Sequence, residues 1–238
     1  ILFLLMSLVF TTTSCDMDLT PDSAVPEHEA LRTIDDCDAW VVGIYSAFKN
    51  SALYSGYMTL LPDIQADMAY AALNTNNGFY TNIYQWDIKS TTDEIIAVYN
   101  GLYTIVARCN FFLDYKDQVE VNLKTTADKD NFKKRLGEVY FARAMAYAEL
   151  IRLFCEPMTS VNADTENMGI CLPTTYRDDV PKVKRSTLRE SYNQIISDLK
   201  SAEDNLPDSR TVADSHYFSK GAVYALRARI YMYMGMGD

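Results

Sequence analysis

The stretch Gly137-Glu-Val-Tyr-Phe-Ala-Arg143-Ala-Met-Ala-Tyr147-Ala-Glu-Leu-Ile-Arg152-Leu-Phe154 decides the fold of this chain. Its ring-bearing and aliphatic side chains recur at steps of three and four, at Tyr140, Ala144, Tyr147, Ile151 and Phe154. This spacing places them on one face of an α-helix, where they form a stripe that belongs in a core. We expect Arg143 and Arg152, on the same helix, to bond a carboxylate or the end of a neighbouring helix.

The same periodicity recurs in four other parts of the chain, whereas the alternating pattern of strands is scarce. The four apolar stripes lie within residues 31–49, 98–112, 188–202 and 223–233. Each stripe must be covered by another helix. The sequence therefore predicts an all-α protein of paired helices.

Residue types at the predicted helix ends agree with this assignment. Two Thr–Glu pairs match the capping box, in which hydroxyl and carboxylate each bond the other's free amide: Thr91 with Glu94, and Thr187 with Glu190. Proline cannot continue a helix, and a proline follows the stripe at residues 140–154 and the stripe at residues 188–202, at Pro157 and Pro207. Small residues on the last helix should let another helix approach closely; they are Gly221, Ala225 and Ala228.

The chain starts with an apolar run at residues 1–10, which is too short for a membrane span of about 20 residues. It suits the apolar part of a secretory signal. The Thr-Thr-Thr-Ser stretch that ends at Cys15 resembles the lipobox of bacterial lipoproteins, in which the cysteine receives acyl chains. We expect residues 1–14 to be a signal peptide without its basic region, and residues 15–28 to be a lipid-anchored linker. The alternative is a buried strand followed by an ordinary cysteine.

Composition excludes some functions and leaves others open. The net charge is −10, so a nucleic-acid partner is not expected, because no basic patch could displace phosphate counterions. The hydrophobic share of 48% is ordinary for a globular protein, and no later segment is expected to span a membrane. Residues 29–238 are long enough to bury the core of a single helical domain.

Four cysteines follow Cys15, and their spacing does not define a disulfide framework. Cys37 and Cys109 fall on apolar helical faces, where we expect buried thiols. Cys155 and Cys171 flank one loop and are the pair that could form a disulfide.

Two long irregular segments separate the predicted helices, at residues 50–90 and 156–186. The first is rich in aromatic and amide side chains, the mixture that stacks on sugar rings and bonds their hydroxyls. We therefore predict a ligand site on this segment, formed by Asn74, Asn77, Tyr80, Tyr84 and Trp86. The alternative is that Tyr84 and Trp86 pack beneath the segment while the asparagines form turns.

Catalytic and metal-binding patterns are weak. Asp63 and Asp67 lie four residues apart, but solvated acids are the simpler interpretation. The two histidines, His28 and His216, lack the spacing of zinc ligands. We expect no metal, no cofactor and no enzymatic activity.

The stretch quoted above resembles the signature of the SusD/RagB family, although Cys155 stands where that family usually has glycine. Three other segments match the family in the same order, at residues 102–110, 186–207 and 219–231. Acidic residues after the lipidated cysteine, here Asp16 and Asp18, also fit this family. The resemblance covers residues 15 to 238, about half of a typical member, so we expect the chain to be truncated at its C-terminus.

The resemblance implies an outer-membrane lipoprotein that faces the exterior and is built on tetratricopeptide-like helical pairs. It further implies a lid on a SusC-like TonB-dependent transporter that holds oligosaccharide, or peptide, for import. The alternative is a helical-repeat scaffold that binds other proteins and handles no nutrient, since fold alone does not determine function.

Overall fold

The computed structural model describes residues 26–72, 78–176 and 184–235. Within these ranges the chain forms seven α-helices and no strand, and a 3₁₀ turn, Glu27–Glu29, precedes them. The helices are α1 Ile34–Phe48, α2 Tyr57–Gln65, α3 Thr81–Tyr84, α4 Asp93–Glu120, α5 Thr126–Phe154, α6 Leu188–Asn205 and α7 Lys220–Tyr233. All seven belong to one compact unit, residues 31–238. The all-α prediction is confirmed.

Helix α5 is the centre of this unit, and it packs against α1, α4, α6 and α7. It runs antiparallel to α4, because Tyr99 near the start of α4 meets Phe154 at the end of α5, with ring centroids 5.1 Å apart. At the opposite end, Phe112 stacks on Phe132 at 6.2 Å. The short turn at residues 121–125 joins the two helices and allows this arrangement.

Helices α5 and α6 form the second antiparallel pair and the most extensive helix contact among the described residues. A Cβ atom added to Gly137 would lie only 2.8 Å from Leu206 Cγ and 3.0 Å from the Leu206 backbone nitrogen. Glycine is therefore the residue that permits this approach. The predicted stripe of α6 is buried along its whole length, at Leu188, Tyr192, Ile195, Leu199 and Ala202.

A buried ion pair crosses the same interface. Arg143 donates two hydrogen bonds to Asp198 and a third to Asn110 Oδ1 at 2.8 Å. Burial raises the pKa of Asp198, and the Arg143 guanidinium opposes this shift. The expectation of a carboxylate partner is confirmed for Arg143, and also for Arg152, which bonds Glu149 at 2.6 Å.

Side chains of α4 and α5 hold the 171–176 segment by its backbone. Two tyrosine hydroxyls and one amide donate hydrogen bonds to its carbonyl oxygens: Tyr103 Oη to Cys171 O (3.0 Å), and Asn110 Nδ2 and Tyr147 Oη to Pro173 O (2.6 Å each). These donors lie in two of the segments that carry the family resemblance. Their physical role is to tie an irregular segment to the helical core.

One predicted capping box forms and the other does not. Thr187 and Glu190 cap α6 as predicted. The prediction for Thr91 and Glu94 is wrong, because α4 starts one residue later, with Thr92 at the N-cap and apolar Ile95 at the position that a capping carboxylate would need. The Thr92 hydroxyl instead accepts a hydrogen bond from the Lys89 amide at 3.0 Å.

The prediction of an irregular segment at residues 50–90 is also wrong in part, because α2 and α3 lie within it. Both helices are short, and they pack on each other. Their shared core is a small cluster of Leu61, Ile64 and Ile83.

The outer face of α7 differs from expectation. Val223, Leu226 and Ile230 are buried on the inner side. The three small residues of the prediction, Gly221, Ala225 and Ala228, are exposed, and no helix of the described residues covers them.

One described helix, α4, is long and apolar enough to cross a membrane by length and composition alone. Its apolar residues face α1 and α5, where Leu102, Ile105 and Cys109 are fully buried. The helix is therefore the core helix of a folded unit.

Candidate ligand-binding site

The predicted site residues are only partly covered by the structure. Cys15, Asn74 and Asn77 lie outside the described residues. Tyr80, at the N-cap of α3, and Tyr84, at its last position, are described. Trp86 follows two residues after the helix ends.

Helix α3 brings the two tyrosines to the same small core. Its buried residue is Ile83, which contacts Leu61 and Ile64 of α2. Tyr80 and Tyr84 are half-buried against this cluster, and Tyr80 meets Tyr57 edge-on with ring centroids 6.1 Å apart. This packing agrees with the alternative interpretation for Tyr84, and ligand binding by Tyr80 and Tyr84 stays a prediction.

Trp86 behaves differently, because 64% of its surface is exposed. Its backbone lies in the left-handed region, at φ 58°, and so does that of Tyr80. This conformation costs a non-glycine residue about 1–2 kcal/mol. A large apolar ring that is both exposed and held in a strained conformation is the kind of feature found at binding sites.

A cleft of about 350 Å³ lies beside Tyr80, between α2 and the segment that precedes α3. Its aromatic rim includes Tyr70 and Phe79, which are 80% and 67% exposed. The prediction did not include these two residues. The cleft is lined by Leu60, Ile64, Ala69, Tyr70, Ala71, Ala72, Phe79 and Tyr80.

Charge is absent from this part of the sequence. Residues 68–86 contain no Asp, Glu, Lys, Arg or His, although 23% of the whole chain is charged. The nearest charges are at the two borders, at Asp67 and Asp87, and Lys89 pairs with Asp87 at 3.2 Å. Tyr70 and Phe79 both lie within this charge-free run, so the absence of charge is the sequence signal that could have added them to the predicted site.

The remaining polar groups show no catalytic or metal-binding arrangement in the described ranges. Asp63 lies on α2 and Asp67 follows the helix, and both are exposed. His216 is exposed and contacts the Tyr217 ring, with centroids 4.1 Å apart. No group of three or more potential metal ligands occurs among the described residues.

Two of the described cysteine thiols, Cys37 and Cys109, are protected by burial. Cys37 and Cys109 are fully buried, as predicted. Burial raises the pKa of Cys37 to about 12 and raises that of Cys109 further. Cys155 is a free thiol whose Sγ accepts a hydrogen bond from Arg185 at 3.4 Å, so a disulfide with Cys171 is not formed.

The antiparallel pairs α4–α5 and α5–α6 define the chain as an all-α, tetratricopeptide-like helical protein with irregular segments attached to the pairs. A family model described as "SusD-like_3: Starch-binding associating with outer membrane" matches residues 17–232. The chain belongs to this SusD-like family.

Curated relatives agree with this membership. SusD-like protein P38 of Formosa agariphila is 24% identical, over 98% of this chain and 42% of the relative. SusD-like protein P2 of the same organism is 22% identical, over 96% of this chain and 42% of the relative. The chain therefore spans about two fifths of the length of these relatives.

Solved structures show the same fold. A SusD homologue from Bacteroides thetaiotaomicron superposes with a TM-score of 0.72 at 22% identity, covering 89% of this chain and 39% of the homologue. A structure described as a laminarin-binding SusD-like protein has a TM-score of 0.66 at 20% identity, covering 86% of this chain and 41% of that protein. The expected tetratricopeptide-like architecture is thus confirmed.

Proposed function

We propose that this chain is part of a nutrient-binding lipoprotein that captures oligosaccharide at the outer surface of the outer membrane. In this proposal Cys15 carries the lipid anchor, and the bound glycan passes to a SusC-like TonB-dependent transporter. The observation that carries the proposal is the exposure of three aromatic side chains, Tyr70, Phe79 and Trp86, on an uncharged segment of a chain of the SusD-like family.

The chemistry of this surface favours a neutral glycan. Aromatic faces pack on the apolar C–H side of a sugar ring, and amides such as Asn82 and Gln85, both exposed, can bond vicinal hydroxyls. Without a cation in residues 68–86, the segment has no partner for a uronate or sulfate group. Asp67 at one border adds repulsion toward anionic ligands, whereas Asp87 at the other is paired with Lys89.

A binding role rather than a catalytic one follows from the same residues. Hydrolysis of a glycosidic bond uses a pair of carboxylates that flank the bond inside a cleft. The described residues that line the 350 Å³ cleft include no carboxylate. We therefore propose capture without cleavage.

The direct test is calorimetric titration of the full-length protein with neutral oligosaccharides, uronate-containing oligosaccharides and uncharged peptides. Trp86→Ala is expected to weaken binding of the neutral glycan about tenfold or more, as for the removal of a central aromatic anchor. The matched control is Tyr231→Ala, because Tyr231 is a partly exposed aromatic residue on the outer part of α7. Equal affinity in the two variants would contradict a site at Trp86, and binding of peptides alone would move the proposal to peptide capture.

The transporter partnership needs a separate experiment. Affinity isolation of the full-length protein from native outer membranes is expected to recover a large TonB-dependent barrel in equal amount. The scaffold alternative rests on the paired helices, which are also the architecture of protein-binding repeats. Recovery of soluble proteins without a barrel, under conditions that preserve such complexes, would favour that alternative.

A further inference from the structure

A second cavity lies at the turn between α4 and α5, and its volume is about 560 Å³. It is remote from the candidate glycan site, which contacts α4 near Ile95. Lys116, which lines the second cavity, is 21 residues further along the same helix, or about 30 Å at 1.5 Å per residue. The two sites therefore lie toward opposite ends of the α4–α5 pair.

Three lysines from two helices line this cavity. Lys116 belongs to α4, whereas Lys129 and Lys133 lie four residues apart on α5 and so share one helix face. Lys116 pairs with Asp117 at 2.6 Å. Lys129 and Lys133 form no ion pair with any residue in the part of the chain that the structure describes.

The charge of the cavity is opposite to that of the protein. Among the described residues that line it, Glu120 is the one carboxylate, and Asp117 pairs with Lys116, so three lysines and two acids leave a local net charge of about +1. The whole chain has a net charge of −10. Such a local reversal attracts anions that the rest of the surface repels.

The cavity also has an apolar floor. Phe132 is buried at its base, and Leu123 and Leu136 are half-buried beside it. Val121 is 82% exposed at the rim. A small inorganic anion would leave the accessible apolar surface of Leu123, Leu136 and Val121 in contact with water, so the cavity suits a ligand that combines an anionic group with an apolar part.

We propose that the cavity lined by Lys116, Lys129 and Lys133 binds the phosphate group of an anionic amphiphile, whose apolar part covers Leu123 and Val121. Lysine ammonium groups bind phosphate as mobile point charges. A phosphate group joined to an apolar part is present both in a membrane lipid and in a dispersed phospholipid. This site does not depend on glycan binding at Trp86.

The test uses the full-length protein with Cys15→Ala, so that no lipid anchor contributes to membrane binding. Sedimentation with vesicles of phosphatidylglycerol and phosphatidylcholine is compared with sedimentation with phosphatidylcholine alone. Dihexanoyl phosphatidylglycerol below its micelle concentration is the dispersed probe, measured by calorimetry. The variant is Lys129→Gln/Lys133→Gln, and the charge-matched control is Lys49→Gln/Lys200→Gln, because both control lysines are exposed and lie outside the cavity.

The expected result is binding to phosphatidylglycerol that the cavity variant weakens about thirtyfold, since each lysine near an anionic surface contributes about 1 kcal/mol. The control pair should bind as the parent does. If the cavity variant loses binding to both probes, the site binds the phospholipid both in a membrane and in solution. If the variant loses binding to vesicles only, the site binds the phospholipid in a membrane. Equal weakening in the two variants, or no binding of either probe, overturns the proposal.

Discussion

The carboxylate of Asp198 on α6 accepts two parallel hydrogen bonds from the guanidinium of Arg143 on α5, at 2.8 Å from Nε and 2.7 Å from Nη2. Both side chains are almost fully buried. The third nitrogen of Arg143 bonds Asn110, which in turn holds the carbonyl of Pro173. One buried contact thus joins three helices and the 171–176 segment.

Removing one partner of this ion pair should destabilise the folded protein. We expect Arg143→Ala to lower the free energy of unfolding by about 3–5 kcal/mol, because Asp198 would remain buried without a counter-charge. Urea unfolding followed by circular dichroism measures this difference. The double variant Arg143→Met/Asp198→Leu should lose clearly less than the single variant, and an equal or larger loss would contradict the assigned coupling.

Close packing at Gly137 predicts opposite effects of the same substitution at two helical glycines. Gly137→Ala should destabilise by about 1–3 kcal/mol, because the new methyl group meets the Leu206 backbone. Gly221→Ala in α7 should stabilise by up to about 1 kcal/mol, because its nearest atom, Ser219 Oγ, is 3.6 Å away and alanine favours the helix. Thermal unfolding of both variants checks the signs, and a shared sign would contradict the close approach of α5 and α6 at Gly137.

Alkaline pH should destabilise the fold. Burial raises the pKa of Cys37 to about 12, and it also raises the pKa of Cys109, Tyr103 and Tyr147. The unfolded chain releases these protons first, from about pH 8.5 for thiols, so stability is complete below that pH and falls as the pH rises. Each such group removes about 1.4 kcal/mol per pH unit between its unfolded and folded pKa.

Urea midpoints at pH 7, 9 and 10 measure this slope. The Cys37→Ala variant should show a shallower decline than the parent, since one buried acid is gone. Identical midpoints at pH 7 and pH 10 would disprove the effect.

Because the backbone of Trp86 is left-handed, two substitutions there can distinguish an effect on stability from an effect on glycan binding. Trp86→Ala and Trp86→Gly both remove the indole, but only glycine adopts the left-handed conformation without cost. We expect Trp86→Gly to be about 1 kcal/mol more stable than Trp86→Ala in thermal unfolding. Both variants should lose glycan affinity to the same extent, and a difference in affinity between them would mean that backbone conformation contributes to the site.

The long helices could be predicted from the sequence because each carries an extended apolar stripe. The stripe of α4, for example, runs through Leu102, Ile105 and Cys109, and all three are fully buried. Helix α3 could not be predicted in this way, because four residues are too few for a period to emerge. The first residue of α4 is ambiguous in the sequence, because Thr91 and Thr92 are both possible caps and only the fold selects between them.

The sequence locates the candidate site on the chain, but it does not show which of the aromatic residues there are packed and which are exposed. Aromatic and amide residues are concentrated in this segment, and that composition alone distinguishes it from the helices on either side. Tyr84 and Trp86 are two residues apart, yet one packs on Ile83 and the other faces solvent. That difference depends on where α3 ends and on the left-handed turn of Trp86, which no local pattern encodes.

The anchoring of the 171–176 segment has an evolutionary consequence. The side chains that hold the segment donate hydrogen bonds to main-chain carbonyl oxygens, which every amino acid possesses; they are Tyr103, Asn110 and Tyr147. Side chains of the segment that make no contact with the helices can therefore change while its course is retained, whereas Tyr176 packs edge-on against Phe111, with ring centroids 4.9 Å apart. A lineage could diversify the outward chemistry of this stretch by point substitutions alone, with no compensating change in the framework that carries it.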